Sequence, residues 1–378
     1  MEKKGSQLQS LLEMIALSGE YSVAAVERLL PKEAYRRKII TKGKNDKLLN
    51  TIYINKLRGY RLTSKAKKTL LGENRERFAH SLEGDVETNR VQSDITRRKR
   101  LQSMADVLTT MYRSDVEIFA DKKPLIFSQS SQPLAVDEQK PLRVKKPMFY
   151  LSREIKKTDE RWLSFRGSSA AGVLLGANGA WVVYNTGDAQ VQWRDRIEAR
   201  IQAEMQSFLY WNVLSSQYKG ADIGGIMLGS DIETLERCLT EPGGKQNGLK
   251  FLTSSYKSFY YFTNNEFGEL QLRLLTDTER WAAVEKVLSE DKGMEPTPAH
   301  YSIECDGMTP DGRPVLNCCL LNVPRLVKYQ SGLDLQDKYG LVYCFDFQKE
   351  FIGRYLGERA ELKDVSYEKL KEKLYPDI

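Results

Sequence analysis

The chain has 378 residues, 41% hydrophobic and 29% charged, with 58 Lys+Arg against 51 Asp+Glu and a formal charge of +7. This length and balance describe a globular protein of two or three domains, and apolar runs of about six residues exclude a bilayer-spanning helix. The only two histidines, His80 and His300, lie far apart, which excludes HExxH zinc sites and a paired-histidine metal clamp, and the five cysteines, odd in number and without a C-x-x-C spacing, suit buried reduced thiols better than a disulfide framework or zinc finger.

The net charge hides an asymmetry. Residues 1–72 hold 16 Lys+Arg against 6 Asp+Glu, a local net of +10, whereas the other 306 hold 42 against 45, a net of −3. A basic block of this kind is the footprint of a polyanion-binding segment, nucleic acid before membrane. The opening Met-Glu-Lys-Lys-Gly-Ser has no apolar stretch of a secretory signal, so a cytoplasmic location with reduced thiols is expected.

In chain order, Leu8, Leu11, Leu12 and Ile15 recur at helical spacing between Ser6 and Ser18, and Gly19 ends that helix. Ser22 predicts the cap of a short helix carrying Val23, Val26, Leu29 and Leu30, which Pro31 breaks; a basic helix follows from about Lys32 to Asn45. At 100° per residue, Arg36, Ile39, Ile40 and Gly43 share one face of this third helix, and Ala34, Arg37, Lys38, Thr41 and Asn45 the opposite one. Gly43 is unfavourable there, since Gly inside a helix costs about 1 kcal/mol relative to Ala. The order is that of a helix-turn-helix whose free face can enter a major groove. Arg37 and Lys38 suit guanine edges, Asn45 an adenine, and Thr41 a thymine methyl or phosphate. Lys42, Lys44 and Lys47 are placed for phosphates.

Thr51–Ile54 and Tyr60–Leu62 alternate as short strands around Lys56-Leu57-Arg58-Gly59, where Gly59 is expected to accept a positive φ at the hairpin tip. A basic hairpin after a recognition helix is a wing, with Lys56, Arg58 and Arg61 gripping the flanking backbone or minor groove. A last helix, Ser64–Leu71, carries Lys65, Lys67 and Lys68. Solvated helix faces and winged protein-interaction modules are the competing readings; pattern, wing and charge agree on double-stranded DNA.

Residues 73–127 are expected to form a helical connector. Val91, Ile95, Leu101, Met104, Leu108 and Met111 mark an amphipathic stripe interrupted by Arg97-Arg98-Lys99-Arg100. That stripe predicts a helix packing on its own chain; the alternative is a dimer helix whose basic run adds a second DNA contact. A two-fold dimer would read a palindrome. Residues 128–147, rich in Ser, Gln, Pro and Lys, read as a linker.

From Met148 onward strands and helices alternate, predicting an α/β domain with a mixed sheet over 148–378. Expected strands are Ala170–Gly176, Ala180–Asn185, Ile223–Leu228, Phe259–Phe262, Val315–Leu321 and Leu341–Phe347; expected helices are Arg194–Leu214, Ile232–Leu239, Glu279–Ser289 and Lys349–Leu356. Gly243-Gly-Lys-Gln-Asn-Gly248 fails as a phosphate loop because Leu249 stands where Lys must follow. There is no G-x-S-x-G, and two isolated histidines offer little to a catalytic triad. The one catalytic pattern left is a Mg²⁺ nuclease using an Asp and a Glu-x-Lys. Glu154-Ile-Lys156, Glu361-Leu-Lys363 and Asp311 supply the types in the wrong order, so surface salt bridges are the expected reading and no catalytic or metal residue is assigned.

Arg36-Arg37-Lys-Ile-Ile, Lys47-Leu-Leu and Gly59-Tyr-Arg-Leu-Thr-Ser-Lys-Ala resemble the winged helix of the replication-relaxation family, found on plasmids and integrative conjugative elements of Gram-positive bacteria. The resemblance continues through Tyr150-Leu-Ser-Arg-Glu-Ile-Lys, Val182-Val-Tyr-Asn-Thr-Gly, Ile226-Met-Leu-Gly and Cys344-Phe-Asp-Phe-Gln348. It implies a DNA-binding accessory of replication, relaxation or transfer, with a relaxase or replication protein as partner. It also implies a C-terminal domain akin to the restriction-endonuclease fold. Ala180-Trp-Val-Val-Tyr-Asn185 is apolar where such a nuclease places its acidic residues, which implies a fold used for binding. Gly43 departs from the family pattern, which has a larger apolar residue there.

The expectation is therefore an α+β chain. A winged helix-turn-helix over 1–72 binds a specific DNA site through Arg37, Lys38, Thr41, Lys42, Lys44, Asn45, Lys56, Arg58 and Arg61, without cofactor or catalysis. The alternatives are a Mg²⁺-dependent endonuclease targeted by the winged helix, and a transcriptional regulator whose C-terminal domain senses a ligand.

Overall fold

The computed structural model describes residues 6–84, 94–127, 143–158, 162, 165, 167–187, 193–211, 215–218, 221–240, 256–291 and 293–376. The chain is of the α+β class with a mixed sheet and divides into two compact units. One comprises Met1–Leu134, Met148–Phe165 and Ala171–Val173; the other Ala135–Pro147, Arg166–Ala170 and Leu174–Ile378.

In the first unit, α1 (Gln7–Ser18) is capped by Ser6 Oγ, which accepts from Gln9 N, and stopped by Gly19 at φ 91°. Strand β1 (Tyr21–Ser22) leads directly into α2 (Val23–Leu29), capped by Ser22. Then come α3 (Glu33–Asn45), the hairpin β2 (Leu49–Ile54) and β3 (Leu57–Leu62), α4 (Ser64–Glu73) and α5 (Arg75–Leu82). The three strands form an antiparallel sheet in the order β1-β3-β2, with Tyr21 opposite Tyr60 and Leu49 opposite Leu62. Leu11, Met14, Ile15 and Leu17 of α1 are fully enclosed and, with Val26, Leu49, Tyr60 and Leu70, make the core.

The expected connector is part of this unit. Helix α6 (Ile95–Arg113) buries Leu101, Ala105, Val107, Leu108 and Met111 and packs on α1, α2 and β1. Its apolar stripe finds its partner in its own chain. The same unit also takes up β4 (Met148–Leu151) and α7 (Ser152–Thr158). Most of the expected linker, residues 128–142, lies outside the described residues.

The hairpin tip differs from expectation. Asn55 and Lys56, at φ 53° and 62°, form the two-residue turn, and Ile54 pairs with Leu57. Two successive left-handed residues match the twist of the flanking strands, with Asn first as such turns favour. Gly59 is instead a mid-strand residue opposite Ile52. Gly43 also has a positive role: a Cβ there would stand 2.6 Å from Leu49 Cδ1 and 3.2 Å from Leu8 Cδ1. Its small size lets α3 lie close against α1 and β2, where a larger apolar residue would collide.

Strand β5 (Ala170–Leu175) is divided between the units. In the second, Gly176 N donates to Gly179 O at 2.8 Å, closing the expected turn before β6 (Ala180–Gly187). Helices α8 (Asp195–Trp211) and α9 (Ser215–Tyr218) precede β7 (Gly224–Gly229), α10 (Ile232–Thr240) and β8 (Phe259–Thr263). β6, β7 and β8 run parallel. They are enclosed on both faces and so read as continuous apolar runs. Next come α11 (Glu266–Thr276), α12 (Thr278–Asp291), β9 (Gly307–Met308) and β10 (Pro314–Asn317). The chain ends with α13 (Val323–Gln336), β11 (Gly340–Phe345), α14 (Lys349–Leu356), β12 (Ala360–Val365) and α15 (Tyr367–Leu374). Strands β10, β11 and β12 are parallel, and β9 pairs antiparallel on β10. The strand expected over Val315–Leu321 stops at Asn317, whose Oδ1 accepts from Cys319 N while Leu321 N closes a turn on Cys318 O.

Candidate nucleic-acid interface

Helix α3 is held from one side. Ile39 and Gly43 are buried, while Ile40 and Arg36 are half-buried. Arg36 turns back to the preceding loop, donating to Leu30 O at 3.1 Å and Glu27 Oε1 at 3.1 Å, and so fixes the turn between α2 and α3. On the other side Arg37, Lys38, Thr41, Lys42, Lys44 and Asn45 are all exposed. Among the described residues Arg37 is paired with Glu33 alone, one turn earlier and itself exposed, an arrangement worth little in water and readily exchanged for another anion. Lys65 Nζ donates to Asp46 O at 3.0 Å and ties the start of α4 to the end of α3.

On the hairpin, Lys56 and Arg58 are exposed, with the Arg58 guanidinium 6.0 Å from the centre of the Tyr60 ring. Tyr53 and Ile54 beside them are 67% and 52% exposed; the strand alternation did not single them out. Arg61 corrects the sequence reading. It is buried, its Nε donating to Glu20 Oε2 at 2.8 Å, so it neutralises an interior carboxylate and has no free face for a nucleic acid.

That carboxylate organises the hairpin from beneath. Glu20 is fully buried and takes bonds from Arg98 Nη2 at 2.7 Å and Gln102 Nε2 at 2.7 Å. Arg98, 1% exposed, also donates to Ile52 O (3.2 Å), Ile54 O (3.2 Å) and Leu57 O (3.0 Å). These carbonyls flank the turn, so α6 grips the hairpin by its backbone. Burial would raise the Glu20 carboxyl; the hydrogen bonds from Arg98 and Gln102 and the Arg61 charge outweigh it and hold it below its ordinary range. Neighbouring Lys99 and Arg100 are exposed.

The residues weighed for nuclease chemistry are engaged otherwise. In the first unit, Glu154 accepts from buried Lys123 at 2.8 Å and from Leu151 N at 3.3 Å, bracing the step from β4 to α7. In the second, Asp311 and Glu361 both bond to Arg313, at 2.8 and 2.7 Å, so a guanidinium already supplies the positive charge between them. Lys363 lies 5.7 Å from the Tyr343 ring centre. Among the described residues, no three His, Cys, Asp or Glu side chains gather as a metal site. Burial raises the thiols of Cys318, Cys319 and Cys344, the last to about 12, which suits packing and not nucleophilic attack. No helix among the described residues is long and apolar enough to cross a membrane. Comparison with family models, curated proteins and solved structures finds no match to this chain.

Proposed function

We propose that α1 to α4 with their hairpin are a winged helix-turn-helix that binds double-stranded DNA, and that the chain is a non-catalytic, site-specific DNA-binding protein. One observation carries this reading: six polar or cationic residues of α3 are exposed together while Ile39 and Gly43 on the opposite face are buried. A helix held in this way offers a protruding ridge of donors to a major groove. Arg37, Lys38, Thr41 and Asn45 would read base edges; Lys42, Lys44, Lys56 and Arg58 would bind phosphates.

The sequence resemblance adds a setting for this activity, the replication, relaxation or transfer of a plasmid or conjugative element. There the second unit would recruit a relaxase or replication protein, and a two-fold pair of chains would read a palindrome. An endonuclease is the weaker reading, because Glu154, Asp311 and Glu361 are each spent on an ion pair. Sequencing duplexes enriched by the protein from a random pool tests the proposal. A defined motif that Arg37→Ala/Lys38→Ala no longer enriches supports it. An unstructured pool, or the same motif from both proteins, overturns it.

A further inference from the structure

A guanidinium buried as completely as that of Arg98 is an expensive way to fasten a helix, since apolar side chains of similar volume hold as well or better. What a charged, directional clamp adds is register. Five acceptor atoms on four residues, three of them carbonyls around the hairpin turn, fix both the height of α6 along the wing and its rotation. With Arg98, Leu101, Gln102 and Ala105 turned inward, the stripe Thr96-Lys99-Arg100-Ser103 turns outward at the same level, and its first three residues are exposed. Lys99 and Arg100 follow Arg98 by roughly 1.5 and 3 Å along the axis. Two exposed cations therefore arise on the helix that grips the turn end of a hairpin already exposing Lys56 and Arg58, although some forty residues of sequence separate the two pairs. Glu20, the carboxylate beneath this corner, is already neutralised by Arg61 and Arg98. The accumulated like charge favours a polyanion on this surface.

We infer that Lys99 and Arg100 form a second phosphate-binding element that continues the wing's contact along the DNA backbone, with Arg98 as the positioning residue that keeps the two in line. The element binds the sugar-phosphate backbone of duplex DNA without reading bases. The inference rests on the DNA-binding reading above, and its test separates the two.

The probe is a fluorescein-labelled duplex enriched by the wild-type protein, followed by anisotropy over a salt series, with hydroxyl-radical footprinting of the same duplex. Lys99→Ala/Arg100→Ala changes only exposed side chains. It is expected to reduce the slope of log affinity against log salt by about 0.9 per lost contact, close to two in all, while leaving the enriched motif unchanged. Its footprint should lose backbone positions adjoining those lost by Lys56→Ala/Arg58→Ala. If this variant keeps the wild-type slope and footprint while Arg37→Ala/Lys38→Ala loses the motif, the second element is refuted and the recognition helix stands. If Arg37→Ala/Lys38→Ala also binds like wild type, the DNA-binding reading fails and this inference with it.

Discussion

A Cβ atom on Gly59 would stand 2.4 Å from Glu20 Oε1, and 2.8 Å from Gln102 Nε2. The mid-strand glycine is thus the opening through which the buried carboxylate reaches Arg98 and Arg61. Gly59→Ala should lower unfolding free energy by about 1–3 kcal/mol, the usual range for overpacking, with its backbone already in the extended region. An unchanged urea midpoint would contradict this account of the cluster.

Gly43→Ala is the informative companion. The added methyl meets Leu49 and Leu8 at their Cδ atoms, flexible ends that can turn aside, and the helix gains about 1 kcal/mol of propensity. The two effects nearly offset, so its loss in the same urea titration should be smaller than that of Gly59→Ala. The reverse ranking would mean that the α3 contact, not the Glu20 cluster, is the tighter of the two.

Glu20→Gln removes the counter-charge of two buried arginines and should cost about 3–5 kcal/mol at neutral pH. The sign of its pH effect follows from the lowered carboxyl. With the folded value below the ordinary 4.5, its contribution is fully present above about 4.5 and is lost as pH falls through the folded value. Urea midpoints measured downward from pH 5 should decline more steeply for wild type than for the variant. Parallel declines would remove Glu20 from the acid response.

His80 acts at higher pH. Burial, aided by the charges of Arg153, Lys123 and Lys157, pushes its imidazole down from 6.5 to about 3, and neither ring nitrogen has a hydrogen-bond partner among the described residues. The folded state therefore favours the neutral ring. Its contribution is complete above about 6.5 and is lost at up to about 1.4 kcal/mol per unit as pH falls toward 3. Between pH 7 and 5 the urea midpoint of wild type should fall, and that of His80→Leu should stay flatter. A variant as acid-sensitive as wild type would contradict this.

The helices and strands around α3 were legible because their signals are local: Ser22 as a cap, Gly19 as a stop, and Ile39 opposite Arg37 on a helical wheel. What escaped the sequence was non-local. Arg61 and Arg98 look like further members of a basic surface, and only the return of α6 beneath β3, with Glu20 between them, turns them inward. Gly59 resembled a turn residue because nothing nearby in sequence reveals the carboxylate it must clear. The turn fell to Asn55 and Lys56, a pair whose left-handed tendency was masked by the glycine three residues on. In the second unit α11, α13, β12 and α15 went unnoticed. The strand β12 reads Ala360-Glu-Leu-Lys-Asp-Val365, half-buried and half charged, with too weak an alternation to announce a sheet edge.

The central claim, that α3 and the wing bind duplex DNA, is tested most directly by anisotropy titration of the enriched duplex against salt, with wild type and Arg37→Ala/Lys38→Ala side by side. The four phosphate-binding cations of α3 and the wing predict a log–log slope of magnitude about 3–4, with the double variant weaker and no longer preferring the enriched duplex over a scrambled one. Wild type that shows no salt-dependent binding, or a variant that discriminates the two duplexes equally well, would contradict the account.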